Sequence, residues 1–186
     1  LQLDGKLIDR AAALAERYLA PLGNRWLHVQ GVAEKARKVS RAFPEEEGIV
    51  LVASAYLHDI GYAPELKKTD FHPLDGAYYL RSLGYHRLAS LVAHHSEAIF
   101  EARLRGLETA LCEFPREYSA IADALTYCDQ TVGPTGKAVT LEERVNEVLS
   151  RYGQTDIVVQ ALHQSISPLF HTVEKTQRKL WVYDLA

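Results

Sequence analysis

Apolar residues recur at helical spacing along most of the chain, and nowhere does an alternation of period two persist long enough to make a strand. A chain with that pattern must bury helical stripes against one another, so the sequence predicts an all-α fold, a single-domain helical bundle. Between Leu3 and Leu19, residues Leu7, Ala11, Leu14 and Tyr18 form one stripe, which Pro21 and Gly23 stop. Asn24 stands as a cap for a second helix to about Phe43, with Trp26, Leu27, Val29, Val32, Ala36 and Val39 as its apolar positions and Pro44 beyond its end. Glu45, Glu46 and Glu47 then open a third helix, where carboxylates suit the positive end of the dipole. This helix contains the apolar run Ile49–Leu57, which ends abruptly in His58-Asp59-Ile60-Gly61.

A loop over residues 63–71 carries Pro64, Lys67 and Lys68. His72-Pro73 opens a fourth helix that continues to Leu83, because proline is tolerated in a first turn. Leu88–His95 reads as a short helix, and residues 97–114 as one or two more, interrupted at Gly106. Ser119–Thr131 is a core helix through Ile121, Ala124, Leu125 and Cys128, followed by a turn over residues 132–136. Thr140 and Glu143 form a capping box ahead of Leu141, Val145, Val148 and Leu149, and Gly153 ends that helix. Asp156 caps the last long segment, which Pro168 should kink. The domain reading is therefore one unit over 1–186, with its chemistry in about 24–132 and C-terminal helices over about 140–185.

Composition removes several classes of function. The 186 residues suffice to bury roughly 70% of the unfolded surface, so no staple is needed. Cys112 and Cys128 make no disulfide framework, and both fall in apolar, helical surroundings. A net charge of −3, with only the short basic pairs Lys67-Lys68 and Arg178-Lys179, gives no footprint for nucleic acid. The sequence shows no signal-peptide pattern and no uncharged apolar run of about 18 residues, so a cytoplasmic, soluble protein with no membrane partner is expected. Oligomeric state is left open.

The chemistry lies with the histidines. His28 falls inside the second helix, His58 and Asp59 end the third, His72 begins the fourth, His94-His95 end the fifth, and Asp129 lies near the end of the Ser119 helix. Imidazoles and carboxylates gathered in a bundle core suit Zn, Fe, Mn, Co or Ni rather than Ca, and the lack of paired cysteine ligands argues against a structural zinc. Singly, each has a structural alternative. His28 could be a core histidine on a backbone carbonyl, His72 a helix cap, Asp59 an acceptor for loop amides, and Asp129 an acceptor for a hydroxyl. The two side chains of His94-His95 point about 100° apart on a helix, so one of them can serve packing.

The order His28, His58-Asp59, Asp129 resembles the H...HD...D signature of the HD-domain metal-dependent phosphohydrolase superfamily, whose common HDIG form stands at 58–61. The resemblance covers about Arg25 to Thr131. His72-Pro73-Leu74-Asp75-Gly76-Ala77 is similar to the HPxxGA segment of HD-GYP proteins and of the bacterial hydrolases that split diadenosine tetraphosphate symmetrically. The resemblance implies His28, His58, Asp59 and Asp129 at one divalent ion, with His72, His95 and also His94 available to a second through a bridging Asp59. Ser96-Glu97-Ala98-Ile99-Phe100 stands where the cyclic di-GMP phosphodiesterases carry their GYP segment, which sets that branch aside. The di-iron oxygenases of the superfamily carry a lysine four residues beyond a ligand histidine, and here those positions are Ala98 and Ile99.

The function expected is hydrolysis of a small, nucleotide-like phosphoester or anhydride by a metal-activated water. Lys67, Lys68 and Arg25 are the candidate cations for the transition-state charge, and His94, if not a ligand, is the candidate proton donor. Each of the three cations has solvated charge as its alternative. The competing expectations are a di-iron oxygenase on the same scaffold and a regulatory module in which the metals are structural.

Overall fold

The third helix sets the plan of the molecule, because it is apolar on every side and must be enclosed. In the computed structural model, which describes residues 5–185, this helix is α3 (Glu45–Leu57), and all of Val50–Ala55 and Leu57 are buried. Around it pack α1 (Gly5–Leu19), α2 (Asn24–Val39), α5 (His86–His94) and α8 (Ala120–Gln130). Each Leu or Val shielded this way contributes about 1.5–3 kcal/mol, which outweighs the weak helix propensity of β-branched residues.

The remaining helices are α4 (His72–Ser82), which pairs with α5, then α6 (Ile99–Leu104), α7 (Glu108–Leu111), α9 (Leu141–Arg151) and α10 (Ile157–Trp181). α10 lies across α8 and α6 and closes one side of the bundle. The architecture is all-α: ten α-helices and no strand among the described residues, the nearest approach being an isolated bridge between Val132 and Ala138. No described helix is long and apolar enough to cross a membrane.

Caps follow the local chemistry in most places. Ser119 Oγ accepts from the Ala122 amide, Thr140 and Glu143 complete their capping box, and Asp156 Oδ1 accepts from the Val158 amide. Several expectations are corrected. The start at Leu3 lies outside the described residues. Asn24 is the first residue of α2 rather than its cap; Gly23, at φ +55°, makes the turn. α2 ends at Val39 in a tight turn over Ser40–Ala42 instead of reaching Phe43, and Leu27 points outward, 45% exposed. Cys112 is exposed on the surface, while Cys128 is buried. The last long segment is α10, one helix over Ile157–Trp181 with Pro168 inside it.

Candidate metal centre

Two helix ends build the centre by the same device. The last carbonyls of an α-helix have no partner within it, and at α3 and α5 a histidine placed three residues on uses one of them. His58 Nδ1 donates to the Ala55 carbonyl at 2.8 Å, and His95 Nδ1 donates to the Val92 carbonyl at 2.6 Å. A carbonyl can only accept, so each Nδ1 carries the hydrogen and each Nε2 is left to face inward. His28 is fixed from outside its helix, since its Nδ1 lies 3.2 Å from the Gly133 carbonyl in the turn after α8. That turn can reach α2 only because Gly31 and Gly136 meet without side chains: a Cβ on Gly31 would lie 2.3 Å from the Gly136 carbonyl oxygen.

The inward nitrogens converge. His28 Nε2 and His58 Nε2 stand 3.4 Å apart, and Asp129 Oδ1 lies 3.0 Å from the first and 3.6 Å from the second. His72 Nε2 and His95 Nε2 are also 3.4 Å apart, with Asp59 Oδ1 3.3 Å from His72 Nε2. The donors thus form two triads, His28-His58-Asp129 and Asp59-His72-His95, with the atoms of each within 4.8 Å of one another. Nitrogens held at about 2.0–2.1 Å from one ion at tetrahedral angles are themselves about 3.3–3.4 Å apart, so these spacings fit a shared cation. His28 and His58 already spend their Nδ1 hydrogens on carbonyls, so their facing Nε2 atoms cannot bond to each other without a proton or a metal ion between them.

Asp59 joins the triads. Its Oδ1 faces His72, while its Oδ2 lies 3.4 Å from His58 Nε2 and 3.9 Å from His28 Nε2. Arg25 also reaches Oδ2 through Nη1, and its guanidinium lies over the Tyr62 ring at 3.9 Å. Asp129 is held on its far side, where Oδ2 accepts from Ser96 Oγ and from Gln130 Nε2 at 2.8 Å, leaving Oδ1 for the histidines. Ser96 and Glu97 hold left-handed backbone conformations, φ +50° and +59°, unusual for residues with side chains. This turn carries Ser96 from His95 to Asp129, and its amide donates to Thr126 Oγ1.

The electrostatics follow from burial and charge together. Burial alone would raise Asp59, but Arg25, His58 and His72 hold its carboxyl far below the usual range. Asp129 is likewise held low against its burial by bonds from His28 and His58. His58 is pushed up to about 9: burial disfavours its charge, and Asp59 and Asp129 more than offset that. Burial pushes His72 and His95 the other way, below the ordinary imidazole range, which favours their uncharged forms.

All six expected ligands are thus brought together, and Asp59 has the bridging position. Of the expected catalytic groups, Arg25 is in the site, committed to Asp59. Lys67 lines the cleft but is exposed and paired with Asp70 at 2.9 Å. Lys68 is not on the cleft; its ammonium lies beside the Tyr78 ring. His94 also leaves the site: its Nε2 bonds the Phe114 carbonyl at 2.7 Å, tying α5 to the segment after α7, so it is neither ligand nor proton donor. This is the 100° offset of the doublet resolved, with His95 facing in.

The cleft of about 340 Å³ over the two triads has walls that the motifs do not reveal. Arg105, Arg144, Arg151 and Tyr152 line it, with Val148 and Leu162 from α9 and α10. Asp75, inside the HPLDGA segment, keeps Oδ1 on Thr69 while its Oδ2 is buried without a partner among the described residues. Only the i, i+3 relation of Asp75 to His72 could have drawn attention to it.

Comparisons with curated proteins and with solved structures returned no match. A protein-family model described as HD domain matches residues 25–145, which span every ligand from His28 to Asp129, and the chain belongs to the HD domain family.

Proposed function

We propose that the protein is a metal-dependent phosphohydrolase acting on a small phosphoester or anhydride. The observation that carries this reading is Asp59, one buried carboxylate turning one oxygen to each of two histidine sets. The two triads would hold divalent transition ions, whose chemistry would be to activate water as a nucleophile and to polarise a phosphoryl oxygen. The protein's own part is to keep the ligands in register. Ala55, Val92 and Gly133 fix three tautomers through their carbonyls, and Ser96 and Gln130 fix the rotamer of Asp129. Arg25 sets a permanent positive charge at the bridging carboxylate, on the cleft wall where a phosphoryl group would approach. Ala98 and Ile99 place no ammonium beside the metals, which favours hydrolysis over the oxygenase reading.

The test is turnover of nucleotides, dinucleoside polyphosphates and simple phosphomonoesters by protein supplied separately with Mn, Fe, Co, Ni and Zn. Hydrolysis with at least one of these ions, abolished in Asp59→Ala and His58→Ala, is expected. Hydrolysis that persists unchanged in both variants, or no turnover with any ion, would overturn the proposal.

A further inference from the structure

The wall of the cleft contributed by α9 holds a cation that neither the metals nor the fold explains. Arg144 is nine-tenths buried and lines the same cleft as Asp59, His72 and His95. Its only side-chain hydrogen bond among the described residues is from Nη1 to Glu147 Oε2, and its Nε is buried with no partner among them. Burying a guanidinium with donors unspent costs free energy, and such a group persists where something else completes its bonding. Glu147 does not neutralise the wall. Arg151, one turn further along α9, donates to both oxygens of that carboxylate, so two guanidinium groups share one negative charge. By contrast Arg105 has Glu101 to itself, and Lys67 has Asp70. The Arg144-Glu147-Arg151 cluster therefore carries one positive charge in excess, in a cleft also lined by the aliphatic side chains of Val148 and Leu162 and by Asp156, which caps α10.

We infer that Arg144 is the anchor of a second anion subsite, and that the substrate carries, besides the phosphoryl group at the metals, a second anionic group joined to it through a partly apolar spacer. The planar fork of arginine suits an oxyanion better than any neutral group. The inference rests on the phosphohydrolase reading only for which end reacts. Arg144 stands at the end of the segment matched by the family model, and Arg151 and Leu162 lie beyond it.

The experiment uses phosphonates, which bind but are not hydrolysed. Titration calorimetry with metal-loaded protein compares a series of alkane-α,ω-bisphosphonates, from propane to octane, with the alkylphosphonate of the same length. At the length that spans the cleft the second phosphonate should tighten binding about tenfold or more, as expected of a charge-assisted bidentate contact. That advantage should disappear in Arg144→Gln and be partly kept in Arg144→Lys, while the affinity for the monophosphonate stays within about twofold. Equal affinity for the two kinds of ligand at every length overturns the subsite even if neither variant folds, because that comparison needs only the wild-type chain. An advantage retained in Arg144→Gln also overturns it. Phosphoester turnover without a bisphosphonate advantage removes the subsite and leaves the hydrolase standing; the advantage without any turnover does the reverse.

Discussion

Gly61 lies so close to the carbonyl oxygen of His72 that a Cβ on it would sit 2.1 Å away, and Gly76 returns the contact, its own Cβ position being 3.2 Å from the Gly61 amide nitrogen. The glycine of the HDIG segment and the glycine of the HPLDGA segment are therefore two halves of one contact. It presses the start of α4 onto the turn after α3 and brings His72 to Asp59.

Gly61→Ala follows directly. The clash is with backbone, which no side-chain rotation relieves, so the variant should lose about 3 kcal/mol or more. It should also lose the ion held by His72 and His95 before the one held by His28 and His58. Thermal unfolding and metal content of the same preparation check both parts; an unchanged ion count would contradict the packing argument.

Metal uptake should release protons. His58, raised to about 9 by Asp59 and Asp129 against its burial, is charged in the metal-free fold at neutral pH. Because the folded value lies above the unfolded one, about 6.5, the stabilisation this gives the metal-free protein is complete below that unfolded value. It is lost as pH rises through about 9. Metal affinity should accordingly climb between pH 6.5 and 9, and calorimetry in buffers of different ionisation enthalpy should detect close to one proton released from the first triad. Affinity independent of pH across that window would mean that His58 is not a ligand.

Arg25→Met separates the ion pair from the metal. In the metal-free protein it leaves Asp59 buried and negative, with a cost of at least about 2 kcal/mol. Loaded protein should be much less affected, because the ions take over the charge. The measurement is the melting temperature of wild type and variant, each with and without metal; equal losses in both states would show that Arg25 acts by packing on Tyr62 alone.

Ser96→Gly tests the hydroxyl without backbone strain, since glycine readily adopts φ near +50°. Losing the bond to Asp129 Oδ2 should weaken metal binding about 10- to 100-fold while leaving the fold intact. Ser96→Ala should show the same loss of affinity together with a lower melting temperature.

His94→Ala should keep full metal content and activity, and lose about 1 kcal/mol through the broken bond to Phe114. A large fall in turnover would return His94 to the catalytic machinery.

Much of this was legible in the sequence, for identifiable reasons. The helices declared themselves through periodicity and caps, and the six candidate ligands through residue type and order along the chain, with His58 and His95 at helix ends where unpaired carbonyls direct a side chain. Among the cations Arg25 was legible, one turn before His28, but lysine and arginine look alike in any exposed-looking stretch. Lys68 is such a surface charge, whereas Arg144 is buried by α10, which arrives from residues far along the chain. The left-handed turn at Ser96-Glu97 was likewise hidden, since neither residue type signals it and only the pull of Asp129 and Thr126 explains it. His94 and His95 could be parted only once α5 had a known rotation against its neighbours.

The account rests on two ions sharing Asp59, and the most direct measurement is metal stoichiometry by elemental analysis of wild type beside His28→Ala and His72→Ala. Two transition ions per chain in the wild type, and one in each variant, is the result predicted. A single ion in the wild type that survives His72→Ala, or none above trace level after metal is supplied, would contradict it.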